Sequence, residues 1–157
     1  MFRVFTMRNL RSSSLFVALF AGLLLLTGCS RDPNVRKANF MHKGDAYFQK
    51  AEYPEALISY ARALHIDPGL AEAHYKSAQC QLHMGNWPSA FQSLSRTVEL
   101  QPDNWPAQLD LGKLFLSGGG ASQAKQKAEL ILRSEPGNVD ARILLSNAAR
   151  FPKRLGS

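Results

Sequence analysis

From about residue 37 to residue 138, apolar side chains recur every three or four positions, the spacing that places them on one face of a helix. The rhythm is interrupted at regular intervals. In "YFQKAEYPEAL", "LHMGNWPSAF" and "FLSGGGASQAK" it pauses over a few polar, glycine or proline residues and then resumes. Each interruption predicts a tight turn between two helices. A second kind of break, "HIDPGL", "ELQPDN" and "SEPGN", follows each pair, and its prolines Pro68, Pro102 and Pro136 stand 34 residues apart. Ala56, Ala90 and Ala124 each lie twelve residues before one of these prolines. The fold class expected is therefore all-α, a solenoid of helical hairpins with units at 37–70, 71–104 and 105–138.

Those units resemble the tetratricopeptide repeat. The first supplies Phe40, Gly44, Tyr47, Ala56, Tyr60, Ala63 and Pro68, with Lys43 where the family has leucine. The third keeps Leu111, Gly112, Phe115, Ala124 and Pro136, but carries Gln108 and Ala128 at the other aromatic positions. The second departs most, with His74, Ser77, Ala78 and Gln81 at signature positions of its first helix, while Ala90, Leu94 and Pro102 hold the register. Small residues Gly44, Ala78 and Gly112 are expected to face Ala56, Ala90 and Ala124, so that paired axes approach closely. Gly118 to Gly120 predict a loose turn, and Trp87 and Trp105, at helix starts, are expected to pack. Residues 139–157 read as a partial fourth unit or a cap and tail, with Val139 to Arg150 helical. Because Ile143, Leu144 and Leu145 would leave such a cap with an apolar face, the array is expected either to continue in related chains or to self-associate through that end.

The N-terminus has a different pattern. Arg3, Arg8 and Arg11 precede an uninterrupted apolar run of twelve residues, Leu15 to Leu26. A membrane-crossing helix needs roughly 20. A basic leader, a short apolar core and small residues are the layout of a secretory signal, with an uncut signal anchor and a buried core segment as the alternatives. Leu26-Thr27-Gly28-Cys29 resembles the lipobox of bacterial lipoproteins. That resemblance implies cleavage after residue 28, lipidation of Cys29, a tether over 29–36 and a membrane partnership made through acyl chains. Ser30 after the cysteine is typical of sorting to the outer membrane, facing the periplasm. Lipobox and repeats together resemble tetratricopeptide lipoproteins of Gram-negative envelopes, including those associated with exopolysaccharide and PEP-CTERM protein-sorting systems.

Charge alters little. The formal net charge of +7 includes the three leader arginines; without them 16 basic residues face 12 acidic ones, a balance of +4. With basic residues scattered and no basic-aromatic run, a nucleic-acid partner is not expected. If Cys29 carries lipid, Cys80 is the one cysteine left, so packing rather than a disulfide must hold the fold. The histidines at 42, 65, 74 and 83 make no set with ligand spacing. Cys80 and His83 share a helix face, but zinc sites ordinarily take three or four protein ligands. No nucleophile elbow, phosphate loop or HExxH motif is present. Neither enzymatic activity, metal nor cofactor is expected.

What remains is the concave surface that helical solenoids use for binding. By resemblance, first-helix positions two, five, nine, twelve and thirteen line it. They give Met41, Asp45, Phe48 and Gln49 in the first unit; Glu72, Tyr75, Gln79, Leu82 and His83 in the second; and Leu109, Lys113, Leu116 and Ser117 in the third. This mixture suits a peptide or a partner helix. Family members that clamp chaperone C-terminal carboxylates use cationic and amide side chains where this chain has Met41, Asp45, Gln79 and Leu109, with only Lys113 of the right charge. The function expected is a non-catalytic adaptor that binds a protein or peptide at the envelope. The alternative is an accessory or truncated subunit of an envelope enzyme complex for peptidoglycan or polysaccharide assembly or export.

Overall fold

The computed structural model describes residues 32–150, and the leader with Cys29 lies outside them. Among the described residues the elements are seven helices: α1 (Pro33–Gln49), α2 (Tyr53–Ile66), α3 (Ala71–His83), α4 (Trp87–Leu100), α5 (Trp105–Ser117), α6 (Ala121–Ser134) and α7 (Val139–Arg150). Each packs on its neighbours in sequence, and α5 also touches α7. α1 begins at Pro33, inside the stretch read as a tether. Its first turn is fixed by Asp32, whose carboxylate accepts the Asn34 amide at 2.8 Å, while proline suits the first helical position because the missing donor would be unpaired anyway. No helix of the described residues is long and apolar enough to cross a membrane.

The turn inside each unit is the same device three times. The amides of Glu52, Asn86 and Gly120 reach back five residues to the carbonyls of Tyr47, Gln81 and Phe115, at 3.0, 2.8 and 2.7 Å. This closure requires a left-handed residue just before the donor. Ala51, Gly85 and Gly119 occupy that position with φ of 60°, 71° and 83°. The glycine triplet therefore forms a defined turn of the same build as the other two, because only Gly119 of the three adopts positive φ.

Turns between units repeat as well. Leu70, Asn104 and Asn138 amides bond back three residues to Asp67, Gln101 and Glu135 carbonyls. Asn104 and Asn138 then cap α5 and α7, their side chains accepting the amides of Ala107 and Ala141 at 3.1 and 2.9 Å. Leu70 has no side-chain cap bond. The departures from the aromatic signature have a physical reason here. His74, Gln108 and Arg142, again 34 apart, each reach the carbonyl of the proline six residues earlier, Pro68, Pro102 and Pro136, at 3.0, 2.8 and 2.8 Å. A polar side chain thus fastens each inter-unit turn to the helix that follows it.

Three apolar clusters form the core, and each bridges units. Ala56, Tyr60 and Cys80 join the first unit to the second. Ala78, Leu94, Ala107 and Leu111 join the second to the third. Ala124, Ala128, Leu144 and Ala148 join the third to α7. Burying one side chain such as Leu94, fully enclosed, contributes about 1.5–3 kcal/mol, so no unit satisfies its apolar face alone. Gly44 lies against Tyr60, one turn beyond the expected Ala56: a Cβ there would stand 2.6 Å from Cδ1 of that ring. Gly112 is pressed by Leu144 of α7 as well as by Lys127 of α6. Trp87 does not pack as expected; it is 57% exposed, as the first residue of α4.

Candidate binding groove

Two adjoining cavities run along the first helices of the units. One, of about 360 Å³, is lined by Asp45, Phe48, Gln49, Tyr60, Tyr75, Lys76 and Gln79. The other, of about 300 Å³, is lined by Gln79, Leu82, His83, Trp87, Asp110, Lys113, Leu114 and Ser117. Gln79 is common to both.

Their polar groups are tied across units. Asp45 accepts from the Tyr60 hydroxyl at 2.8 Å and from Lys76 Nζ at 2.7 Å. Asp110 accepts from Gln79 Nε2 at 2.7 Å, from the Tyr75 hydroxyl at 3.4 Å and from Lys113 Nζ at 3.2 Å. Burial first, and then the Asp110 carboxylate, pushes the Tyr75 phenol up to about 12. Burial and the Asp45 hydrogen bond likewise raise Tyr60. Both phenols remain protonated donors at neutral pH. Burial also pushes the Cys80 thiol up to about 11, which suppresses the reactive thiolate. Such a surface can exchange hydrogen bonds and bury apolar side chains. Among the described residues no group of three or more His, Cys, Asp or Glu could hold a metal ion.

Of the thirteen residues expected in the groove, Asp45, Phe48, Gln49, Tyr75 and Gln79 line the first cavity. Leu82, His83, Lys113 and Ser117 line the second. Glu72 stands exposed, its carboxylate 3.7 Å from Lys76. Met41 packs instead against the Ala56–Tyr60–Cys80 cluster, and Leu109 and Leu116 against the cluster that joins α7. For these three, a neighbouring helix is closer than the groove. Sequence reasoning missed Tyr60, Lys76, Asp110, Trp87 and Leu114. A signal for two of them exists: Asp45 with Lys76, and Gln79 with Asp110, are complementary pairs 31 residues apart. Position nine of one unit meets position six of the next.

The family pattern described as "TPR repeat" matches residues 44–85, and the one described as "Tetratricopeptide repeat" matches residues 72–104. Residues 44–104 are tetratricopeptide repeats. The tetratricopeptide fold extends further than that stretch. The second TPR domain of human RPAP3, solved in complex with the HSP70 peptide SGPTIEEVD, superposes with a TM-score of 0.69 at 24% identity, covering 76% of this chain and 99% of that one. The first TPR of Spaghetti (RPAP3), bound to the HSP90 peptide SRMEEVD, gives 0.69 at 22% identity, covering 78% and 96%. Human sperm-associated antigen 1 is 31% identical over 108 residues, which are 69% of this chain. The match spans only 12% of that relative's length.

Proposed function

We propose that the chain is a non-catalytic interaction module whose tetratricopeptide groove holds a peptide or partner helix, and whose Cys29 anchors it by lipid to the periplasmic side of a bacterial outer membrane. The observation that carries the binding reading is the pair of adjoining cavities, which place protonated phenols, the Gln79 amide and half-buried apolar groups along one continuous surface. Structural neighbours bound to peptides support the same reading. The peptide held here differs in kind from theirs. The acidic peptides SGPTIEEVD and SRMEEVD belong to those neighbours, whereas the lining of this groove carries Asp45 and Asp110, and Lys76 is already paired with Asp45 at 2.7 Å. Side chains within a segment, rather than a terminal carboxylate, are what this surface engages. The lipobox over residues 26–29 is the support for the anchor, since two or more acyl chains hold a protein to a bilayer without a spanning helix.

Site-specific photo-crosslinking in the native cell tests the binding claim, with the photoreactive residue at Gln79 in the groove or at exposed Gln92 on α4. A discrete adduct from Gln79 alone is the expected result; the same adducts from both sites, or none from either, would remove the groove from the account. Palmitate labelling that persists in Cys29→Ala would remove the anchor.

A further inference from the structure

The 34-residue register lets one unit junction be compared with the next. At the first junction Tyr53, the opening residue of α2, is covered by His83 of α3: the two rings stack with centroids 4.7 Å apart and planes 3° from parallel, and Phe48 closes on both edge-on at 5.4 and 5.5 Å. At the second junction the same position is Trp87, and the residue in register with His83 is Ser117. A serine cannot cover an indole. Its hydroxyl is also turned back to its own helix, donating to the Lys113 carbonyl at 3.0 Å. What results is an open apolar cavity of about 500 Å³ lined by Trp87, Pro88, Phe91, Leu114, Ser117 and Gly118. Trp87 and Phe91 are 57% and 38% exposed on it.

We propose that this cavity is a specificity slot for one aromatic side chain of the bound segment, which stacks on Trp87 as His83 stacks on Tyr53, with a carboxylate next to it in the ligand sequence. The chain's own first junction supplies the geometry of the occupant. Charge supplies the neighbour. The slot shares Trp87, Leu114 and Ser117 with the groove. In the groove cavity, which Trp87, Leu114 and Ser117 also line, the Asp110 side chain is 18% exposed and already accepts from Gln79, Tyr75 and Lys113, whereas the Lys113 side chain is 57% exposed. Of its three donors one is directed at Asp110, so of this neutral pair the ammonium is the member more open to a ligand.

The slot rests on the groove reading, and the test separates them. The probe is the peptide acetyl-Gly-Ser-Glu-Phe-Gly-Ser-amide, titrated into the ¹⁵N-labelled full chain, whose two tryptophans report separately through their indole N–H signals. The Trp87 signal should move saturably and the Trp105 signal should not. Replacing the peptide phenylalanine by alanine should weaken binding about tenfold, and Ser117→His, which supplies the stacking ring from within, should do the same, whereas Gln92→His, the same new ring at an exposed position of α4 outside the slot, should not. No saturable movement of Trp87 in the millimolar range, equal binding of the two peptides, or undiminished binding by Ser117→His would overturn the slot. Phenylalanine-independent shifts at Gln79 and His83 would overturn it while leaving the groove in place.

Discussion

The left-handed position in each intra-unit turn allows the register to be tested by a change of sign. At Gly85 and Gly119 an added Cβ would meet no atom within 4 Å, so an alanine there is opposed only by the backbone, at φ of 71° and 83°. Left-handed backbone costs an L-residue roughly 1–2 kcal/mol. Alanine recovers roughly 0.5–1 kcal/mol through the less flexible unfolded chain. Gly85→Ala and Gly119→Ala should therefore each destabilise by about 0.5–1 kcal/mol, and Ala51→Gly should stabilise by a similar amount. Gly137 is the control: it too has open space around its Cβ position, but its φ lies outside the left-handed region. Gly137→Ala should thus stabilise by about 0.4–1 kcal/mol. For a domain of this size 1 kcal/mol moves a melting midpoint by roughly 4 °C, within reach of circular dichroism at 222 nm. If Gly85→Ala and Gly137→Ala shift the midpoint in the same direction, the account of the turn is wrong.

Ala90, fully enclosed between helices, should not accept bulk: Ala90→Phe is expected to cost about 1–3 kcal/mol by overpacking, and an unchanged thermal midpoint would refute the register. Asn104→Ala should lose about 1 kcal/mol with the cap on Ala107; Asn104→Asp, which keeps the acceptor, should melt close to the parent. With its thiol raised to about 11 and enclosed, Cys80 should react with a thiol reagent at pH 8 only as fast as the protein opens, and immediate labelling at Cys80 itself, located by peptide mass mapping, would contradict its placement. The Lys37 ammonium, 2.7 Å from Asp67, holds that carboxyl below its ordinary range. Its contribution is therefore present above the unfolded carboxyl pKa and is lost as pH falls through the lower folded value. In Lys37→Ala, NMR titration should find Asp67 moved up toward the ordinary range.

The helical hairpins were legible because their signals are local and periodic. Proline at 34-residue intervals and alanine twelve residues before each fix where second helices run, and both depend on steric rules that every unit obeys. Gly85 and Gly119 could also be read as turn residues, but Ala51 hides the same backbone behind an ordinary side chain. The groove was legible in part. Position nine places Asp45, Gln79 and Lys113 in the lining of the cavities. Positions five and twelve do so only in some units: Met41, Leu109 and Leu116 pack against buried clusters and line neither cavity, Phe48 and Tyr75 pack against such clusters and line the first cavity as well, and Leu82 lines the second. Trp87 shows the limit most plainly. Its exposure follows from a serine thirty residues later in the chain, where the preceding unit has His83 opposite Tyr53.

The central claim is that the surface formed by α1, α3 and α5 is where this chain binds other polypeptides. Selecting peptides from a random displayed library against the full chain, and mapping the tightest binder by amide chemical shifts, tests it whichever partner the cell supplies. The account expects the shifts to gather on Asp45, Gln49, Tyr75, Gln79 and Lys113. Shifts gathered instead on exposed residues of α2 and α6 and on Gln92 of α4, away from Trp87 and Phe91, or a selection that yields no binder, would contradict it.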